Sequence, residues 1–215
     1  MTIAFCTPGS RFASEFMASW DDLKNYLIPA EINHYLYQRT GSDIYDVRNT
    51  IVSRNVQIPW EMMPCFKGVP YDYMMWIDSD IGFEPSDVMR LVESGKDLIT
   101  GVCPMGPTMR CPAGEYGADA NGWPTYKYLN IKAMQDMDEP FEIEWCGFGF
   151  LAIKKGVFES MEYPWFRSTF WKHMGRDSNP GEDIGFVLRA GLKGWKVWMH
   201  PGVKLTHSKD IVLQA

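Results

Sequence analysis

Short apolar runs alternate with segments of helical periodicity over the first half of the chain. Four such runs predict buried strands, at residues 3–6, 32–37, 73–77 and 98–103. Apolar residues at helical spacing predict three helical segments, one after residue 12, one over 46–66 interrupted by two prolines, and one from 85 to 95. Because strands and helices alternate, we expect an α/β fold with a doubly wound, mostly parallel central sheet flanked by helices.

The second half of the chain has weaker periodicity. Residues 104–121 are rich in Gly and Pro and predict a loop, and residues 164–179 are aromatic and irregular and predict a mobile loop. The remaining segments predict strands at 142–145, 148–154, 196–199 and 203–207, a short helix at 157–161 and a longer helix at 181–191.

Composition and charge narrow the class of protein. The 215 residues are 46% hydrophobic, which is enough to form a hydrophobic core without disulfide bonds or structural metal ions. The net charge of −6 argues against a protein that binds the nucleic-acid backbone, which needs a basic face. An anionic ligand would therefore need local cations or a metal ion.

Five cysteines are present without a CxxC pair, which argues against a zinc cluster and a disulfide scaffold. The first residues lack the pattern of a signal peptide, and no apolar run approaches the ~18 residues of a membrane span. We therefore expect a cytoplasmic protein with reduced thiols and no transmembrane segment.

The sequence Asp78-Ser79-Asp80 directly follows the apolar run at 73–77. Residues i and i+2 of an extended chain point the same way, so the two carboxylates converge where ligands bind in open α/β sheets. Such closely spaced like charges favour a hard cation, Mg²⁺ or Mn²⁺. The alternative is a solvated turn.

Three further residues carry candidate chemistry. His207 lies just past the last apolar segment and is a candidate metal ligand, although a single histidine is more often solvated or structural. Glu182 and Asp183 open the predicted helix at 181–191. They predict a general base or a ligand of an acceptor hydroxyl, and the alternative is that they stabilise the helix N-terminus.

Two loops and one isolated cation suggest ligand contacts. Thr7-Pro8-Gly9-Ser10-Arg11 lies at a strand-to-helix junction, where free N–H groups and a cation can bind an anion or a base, but it is no P-loop. Gly147 lies among aromatic residues at 145–150, so the alternatives are close approach of a ligand and a β-bulge. Arg54 is a second cation, whose alternative is a solvated helix face.

Taken in order, these segments resemble GT-A-fold glycosyltransferases of the family-2-like group, and compact enzymes of phages and large DNA viruses are similar. The resemblance is carried by six segments: Thr7-Pro8-Gly9, Ser53-Arg54-Asn55, the DxD-like run at 73–80, the glycine-rich run at 147–154, the run at 181–186, and the run at 203–207. Each motif is weak alone, and their order is specific.

The resemblance implies a metal-dependent enzyme that transfers a sugar from a nucleotide-diphosphate donor, UDP before GDP or dTDP, to a hydroxyl of a glycan or glycoprotein. Asp80 and His207 would hold Mn²⁺ or Mg²⁺, with Asp78 on the ribose or the metal. Glu182 or Asp183 would act on the acceptor hydroxyl. The residues expected at the nucleotide sugar are Thr7, Pro8, Gly9, Arg11, Arg54, Asp78, Ser79 and Gly147.

We expect one domain over residues 1–215, with a nucleotide-binding half at 1–103 and an acceptor- and metal-binding half at 104–215. Because eight residues follow His207, we expect any acceptor domain to belong to a longer polypeptide. Two other functions are consistent with the sequence, a sugar-nucleotide nucleotidyltransferase and a carbohydrate-binding virion module without turnover. A nucleotidyltransferase would want a more basic, glycine-rich first loop than Thr7 to Arg11.

Overall fold

The computed structural model describes residues 1–55, 57–173 and 176–209. The helices and strands follow one another as β1 (Thr2–Pro8), α1 (Ser14–Leu27), β2 (Asn33–Arg39), α2 (Ile44–Ser53), β3 (Tyr73–Ile77), β4 (Ile81–Gly82), α3 (Pro85–Glu93), β5 (Leu98–Val102), β6 (Arg110–Ala118), β7 (Pro124–Asn130), β8 (Phe141–Ile143), β9 (Trp145–Cys146), β10 (Phe150–Lys154), β11 (Trp171–His173), β12 (Arg176–Ser178), α4 (Glu182–Leu192), β13 (Val197–Lys204) and β14 (Thr206–His207).

A seven-stranded mixed sheet forms the centre, in the order β2-β1-β3-β10-β5-β13-β8. The edge formed by β2, β1 and β3 is parallel, as is the pair β5 and β13. Strand β10 lies antiparallel between β3 and β5, and β8 is antiparallel at the other edge. The α/β sheet predicted from the sequence is confirmed, with β10 as an antiparallel insertion.

The sheet separates two apolar layers, and β3 shows why. Its residues alternate between the layers, because successive side chains of a strand point to opposite faces. Met75 contributes to the layer under α1 and α3, whereas Trp76 contributes to the layer under α2 and α4. Burying each such side chain stabilises the fold by about 1.5–3 kcal/mol.

Three sequence predictions need correction. The helical segment predicted over 46–66 is too long, because α2 ends at Ser53 and the next residue, Arg54, adopts a left-handed φ of 57°. The loop over 104–121 is wrong, because β6 occupies Arg110–Ala118 and pairs with β7. In the predicted loop over 164–179, two short strands pair with each other, and residues 174–175 lie outside the described residues.

Smaller sheets complete the fold. Strands β7, β6 and β9 form a three-stranded sheet, and β14 pairs with β4 so that His207 lies opposite Ile81. The five cysteines are buried and free of disulfide bonds. Over residues 1–55, 57–173 and 176–209, no helix is both long and apolar enough to cross a membrane.

Candidate functional site

A cleft of about 660 Å³ opens at the carboxyl ends of β1 and β3. This is the edge at which open α/β sheets bind ligands. The cleft is lined by Pro8, Gly9, Ser10, Arg11, Thr40, Gly41, Ser42, Ile44, Val47, Arg48, Asp78, Ser79, Asp80, Glu182 and Asp183. The structure therefore brings the loop after β1, both aspartates after β3 and both acids of α4 to one place.

The parallel pairing of β1 with β3 sets the floor of the cleft. Because Cys6 lies opposite Trp76, the loops that follow the two strands run side by side. Gly9 has a φ of 135°, and a Cβ there would lie 2.6 Å from the Ser79 hydroxyl oxygen. The Ala13 N–H also donates to the Ser79 carbonyl at 2.9 Å. Only glycine fits this contact between the loops.

We therefore expect Gly9→Ala to cost at least about 2 kcal/mol in unfolding free energy, since strain and overpacking both apply. Gly95→Ala is the matched control. Its φ of 72° is also left-handed, but no atom lies within 4 Å of its Cβ position. It should cost only about 1 kcal/mol. Urea unfolding measures both, and equal costs would show that the Ser79 contact does not constrain the loop.

Asp80 and His207 lie together. The His207 Nε2 is 3.1 Å from Asp80 Oδ2, and the Lys209 Nζ is 2.8 Å from the same oxygen. Burial raises the pKa of Asp80, but the hydrogen bond from Lys209 and the charges of both neighbours outweigh it, so the pKa lies below its ordinary value. Asp80 is therefore ionised at neutral pH.

The other imidazole nitrogen fixes which atom of His207 faces Asp80. Nδ1 is 2.9 Å from the carbonyl oxygen of Pro104. A carbonyl only accepts hydrogen bonds, so Nδ1 carries a proton and donates to Pro104. Nε2 is therefore the nitrogen that faces the Asp80 carboxylate, with which it can share a proton or a cation.

The donor set fits a divalent cation. Neighbouring ligands at about 2.1 Å in octahedral geometry lie about 3.0 Å apart, close to the 3.1 Å between His207 and Asp80. Among the residues that the structure describes, no three His, Cys, Asp or Glu side chains form a metal-binding group. The pair matches the sites of Mg²⁺-like ions that use one or two carboxylates and complete the shell with substrate phosphates and water.

Asp78 faces a different partner. Its Oδ1 lies 3.6 Å from an Arg48 terminal nitrogen, and Arg48 Nε lies 3.4 Å from Glu182 Oε1. Burial raises the pKa of Asp78; Arg48 lowers it, and Asp80 and Asp183 raise it further, leaving a net increase. Burial also raises the pKa of Glu182, with a further increase from Asp183. The Arg48 guanidinium thus bridges the carboxylates of Asp78 and Glu182, and the surroundings of both carboxylates disfavour their ionised form.

Arg48 is held by aromatic rings. Its side chain is 5% exposed, and its guanidinium carbon lies 5.0 Å from the centre of the Phe148 ring, 5.3 Å from Trp76 and 5.8 Å from Phe166. Such contacts compensate a desolvated guanidinium. Packing against these rings therefore fixes the buried guanidinium of Arg48 at the floor of the cleft.

Two glycines lie beside acids of the site. A Cβ at Gly147 would lie 3.4 Å from Asp183 Oδ2, and one at Gly149 would lie 3.5 Å from Asp78 Oδ2. The Gly149 carbonyl also accepts the Asp78 N–H at 2.8 Å. The structure thus places Gly147 beside Asp183, at the first turn of α4.

The raised pKa of Glu182 gives a pH prediction. Its ordinary value is 4.5. A carboxyl whose pKa is higher in the folded state than in the unfolded state lowers the free energy of unfolding as it ionises. The loss begins as pH rises past the ordinary pKa and is complete above the raised pKa. We expect Glu182→Gln to gain stability over the parent as pH rises above 4.5 and then to level off. Urea unfolding from pH 4 to pH 8 tests this, and a constant difference would contradict it.

Four predicted site residues do not line the cleft: Thr7, Arg54, Gly147 and His207. Gly147 lies beside Asp183 and His207 beside Asp80. Thr7 is fully buried, and its hydroxyl has no hydrogen-bond partner among the described residues. Arg54 lies six residues beyond Arg48, about 240° around a helix, and its guanidinium carbon lies 4.5 Å from the Tyr37 ring centre. Arg54 does not line the cleft, and Arg48 is the cation at its floor.

Sequence reasoning missed Arg48 and Lys209. Arg48 did leave a signal, since it lies on the face of α2 that also carries Ile51 and Val52. Residues three and four positions apart share one face of a helix, so a charge at this position indicates a cation on the apolar face. Lys209 had no such signal, because its contact with Asp80 depends on the pairing of β14 with β4.

No protein-family model matches the chain. No curated protein matches it either. Several solved structures are similar to it in fold. A197 from STIV is 16% identical with a TM-score of 0.54, covering 100% of this chain and 98% of its own. GalNAc-T7, solved with UDP, GalNAc and Mn²⁺, is 11% identical with a TM-score of 0.57 and covers 98% of this chain. This chain spans 43% of that of GalNAc-T7.

A third similar structure is the catalytic domain of Drosophila β1,4-galactosyltransferase 7 in complex with xylobiose. It is 14% identical, has a TM-score of 0.53, and matches 97% of this chain and 71% of its own. Identities this low define the fold and leave the chemistry to the site. The seven-stranded sheet, its small accessory sheets and these likenesses together give this chain the fold of GT-A glycosyltransferases.

Proposed function

We propose that the protein is a metal-dependent glycosyltransferase that moves a sugar from a UDP-sugar to a hydroxyl of a glycan or glycoprotein. The observation that carries the proposal is that Asp80, which is paired with His207, lines the same cleft as the α4 acids at the ligand-binding edge of a GT-A sheet. A cation at Asp80 would lie at the side of the cleft where a diphosphate can reach it.

Asp80 and His207 are the proposed metal ligands. The Pro104 carbonyl holds the imidazole so that Nε2 faces Asp80. When bound, Mn²⁺ or Mg²⁺ would act as a Lewis acid that stabilises the negative charge of the leaving diphosphate. The ammonium of Lys209, already on Asp80, adds positive charge there.

The nucleotide is proposed to lie between the loop after β1 and the residues after β2. Gly9 and Arg11 line one wall, and residues 40–42 line the other. The backbone of Gly9 permits close approach of a ligand, and Arg11 supplies the positive charge that an acidic chain needs near an anion.

Asp183 is proposed as the general base. Its Oδ1 accepts the Ile184 N–H at 2.7 Å, which fixes the carboxylate at the first turn of α4. Oδ2 faces Gly147. Asp183 would take the proton of the acceptor hydroxyl as that oxygen bonds to the sugar and the sugar–phosphate bond breaks. Glu182 is proposed to position Arg48, with which it is paired.

Donor turnover tests the proposal. The chain is incubated with UDP-sugars and Mn²⁺, with a Mn²⁺-free sample as the control, and released UDP and pyrophosphate are measured separately. We expect slow, Mn²⁺-dependent UDP release in the absence of acceptor. A thermal-shift screen of nucleotide sugars with and without Mn²⁺ identifies the donor, since a ligand that binds the folded state raises its melting temperature.

The other outcomes separate the alternatives. A nucleotidyltransferase would instead release pyrophosphate from UTP and a sugar 1-phosphate, which replace the UDP-sugar in a parallel sample. A melting-temperature shift with sugars alone, without release of either product, would identify a carbohydrate-binding module. No response to any nucleotide sugar would reject the proposal.

A further inference from the structure

A second cleft of about 700 Å³ lies between residues 60–65 and residues 158–165. It shares no lining residue with the cleft described above. The two are neighbours through α2, because the Asn49 side chain donates to the Phe166 carbonyl at 2.7 Å and accepts the Phe166 N–H at 3.0 Å. These bonds fix the segment that carries one wall of the second cleft.

That wall is aromatic and built on a buried anchor. The Trp165 indole N–H donates to the Phe158 carbonyl at 3.1 Å. Tyr163 packs edge-to-face on Trp165 with ring centres 5.1 Å apart, and Trp60 packs edge-to-face on Tyr163 at 5.7 Å. The series of rings runs from the core to the surface, so the outermost ring is supported without being covered.

Exposed apolar residues follow the outer end of that wall. Trp60 is 63% exposed and Met62 is 71% exposed, and Ile58 is exposed on the same segment. Trp60 and Met62 also line the cleft, and exposed apolar side chains that adjoin a cleft are typical of interaction sites.

The charged side chains that line the cleft are acidic. Among the described residues its lining contains the carboxylates of Glu61, Glu159 and Glu162 and no Lys, Arg or His. Glu162 forms an exposed pair with Arg167 at 3.4 Å, which offsets its charge, and Glu159 accepts hydrogen bonds from the Tyr71 hydroxyl and the Gly156 N–H. The carboxylates of Glu61 and Glu159 therefore disfavour phosphate and other anions in this cleft, so it does not extend a nucleotide site, and they favour cations.

We propose that this cleft binds a polypeptide segment of a partner protein that carries Arg or Lys next to apolar residues. Protein interfaces are enriched in Trp, Tyr and Met and contain few lysines. The contacts that contribute most to binding centre on aromatic residues and arginine. A partner's guanidinium can stack on the exposed Trp60 ring while its charge faces Glu61. A neutral glycan would use the ring but would not need the carboxylates.

The test uses the whole chain and a fluorescent peptide in which arginine–leucine–glycine is repeated four times. The matched control peptide has citrulline for arginine, which keeps the shape and removes the charge. By fluorescence anisotropy we expect a Kd below about 1 mM for the arginine peptide, and at least about fivefold weaker binding after Trp60→Ala. Glu61→Gln and higher salt should also weaken it.

Trp123→Ala is the control variant, because Trp123 is 54% exposed and does not line the second cleft. It should leave peptide binding unchanged, and Trp60→Ala should leave the response to UDP-sugar and Mn²⁺ unchanged. The proposal is overturned if the arginine peptide does not bind at 1 mM, if the citrulline peptide binds equally well, if both Trp variants weaken binding alike, or if maltotetraose binds while the peptide does not. It stands or falls independently of transferase activity.

Discussion

Replacing Asp80 with alanine should lower the rate of Mn²⁺-dependent UDP release by about 10³-fold or more, while the protein stays folded. The variant removes the carboxylate that faces His207 Nε2 and Lys209 Nζ. Its effect on stability should be small, because partly exposed ion pairs contribute about 0–1 kcal/mol. UDP release and urea unfolding measure the two effects separately.

His207→Ala should match the activity loss of Asp80→Ala, because both variants remove one of two proposed ligands. Asp21→Asn is the control, since Asp21 is exposed, pairs with Lys24 and does not line the cleft. It should keep the parent rate. Parent-like turnover in either ligand variant would show that the cation does not bind at this pair.

Replacing Arg48 with methionine should lower the free energy of unfolding by about 3 kcal/mol at pH 7. The guanidinium is buried and lies within 4 Å of both Asp78 and Glu182. Methionine fills similar space among the rings but leaves the two carboxylates without a counter-charge. Arg48→Lys should restore only part of the stability, because an ammonium cannot bridge both acids and stack as a planar group does.

A double-mutant cycle identifies the cause of that loss. Adding Glu182→Gln to Arg48→Met should recover at least about 1 kcal/mol, because it removes one of the two unneutralised anions. Urea unfolding of the four proteins at pH 7 gives the coupling energy. Purely additive effects would mean that lost ring packing, and not lost charge, explains the cost of Arg48→Met.

The convergence of the site was predictable because it depends on strand ends. Asp78 follows an apolar run that is β3 residue for residue, and the carboxyl ends of parallel strands meet at one edge. That rule alone places the loop with Gly9 beside Ser79. The approach of His207 to Asp80 instead depends on the pairing of β14 with β4. The resemblance to GT-A enzymes implied that these two residues meet, whereas the hydrophobic periodicity did not.

The parts that were missed have local causes. Strand β6 appeared as a loop because Gly114 and Gly117 interrupt its pattern, yet Gly114 lies where a Cβ would overlap the Lys127 carbonyl oxygen of β7. A register shift between Cys111 and Gly114 accounts for that close approach. Arg54 was predicted as a ligand contact because Ser53-Arg54-Asn55 resembles a segment of GT-A enzymes, but α2 ends at Ser53 and Arg54 follows it with a left-handed φ.

The position of β10 constrains how the chain is made. Residues 150–154 fill the gap between β3 and β5, so a nascent chain synthesised only to about residue 103 contains two strands whose shared neighbour is still missing. Until then each presents an unpaired, apolar edge that can pair with another chain. A truncated nascent chain ending near residue 103 should therefore aggregate, and one that includes residue 154 should be the first to bury both edges.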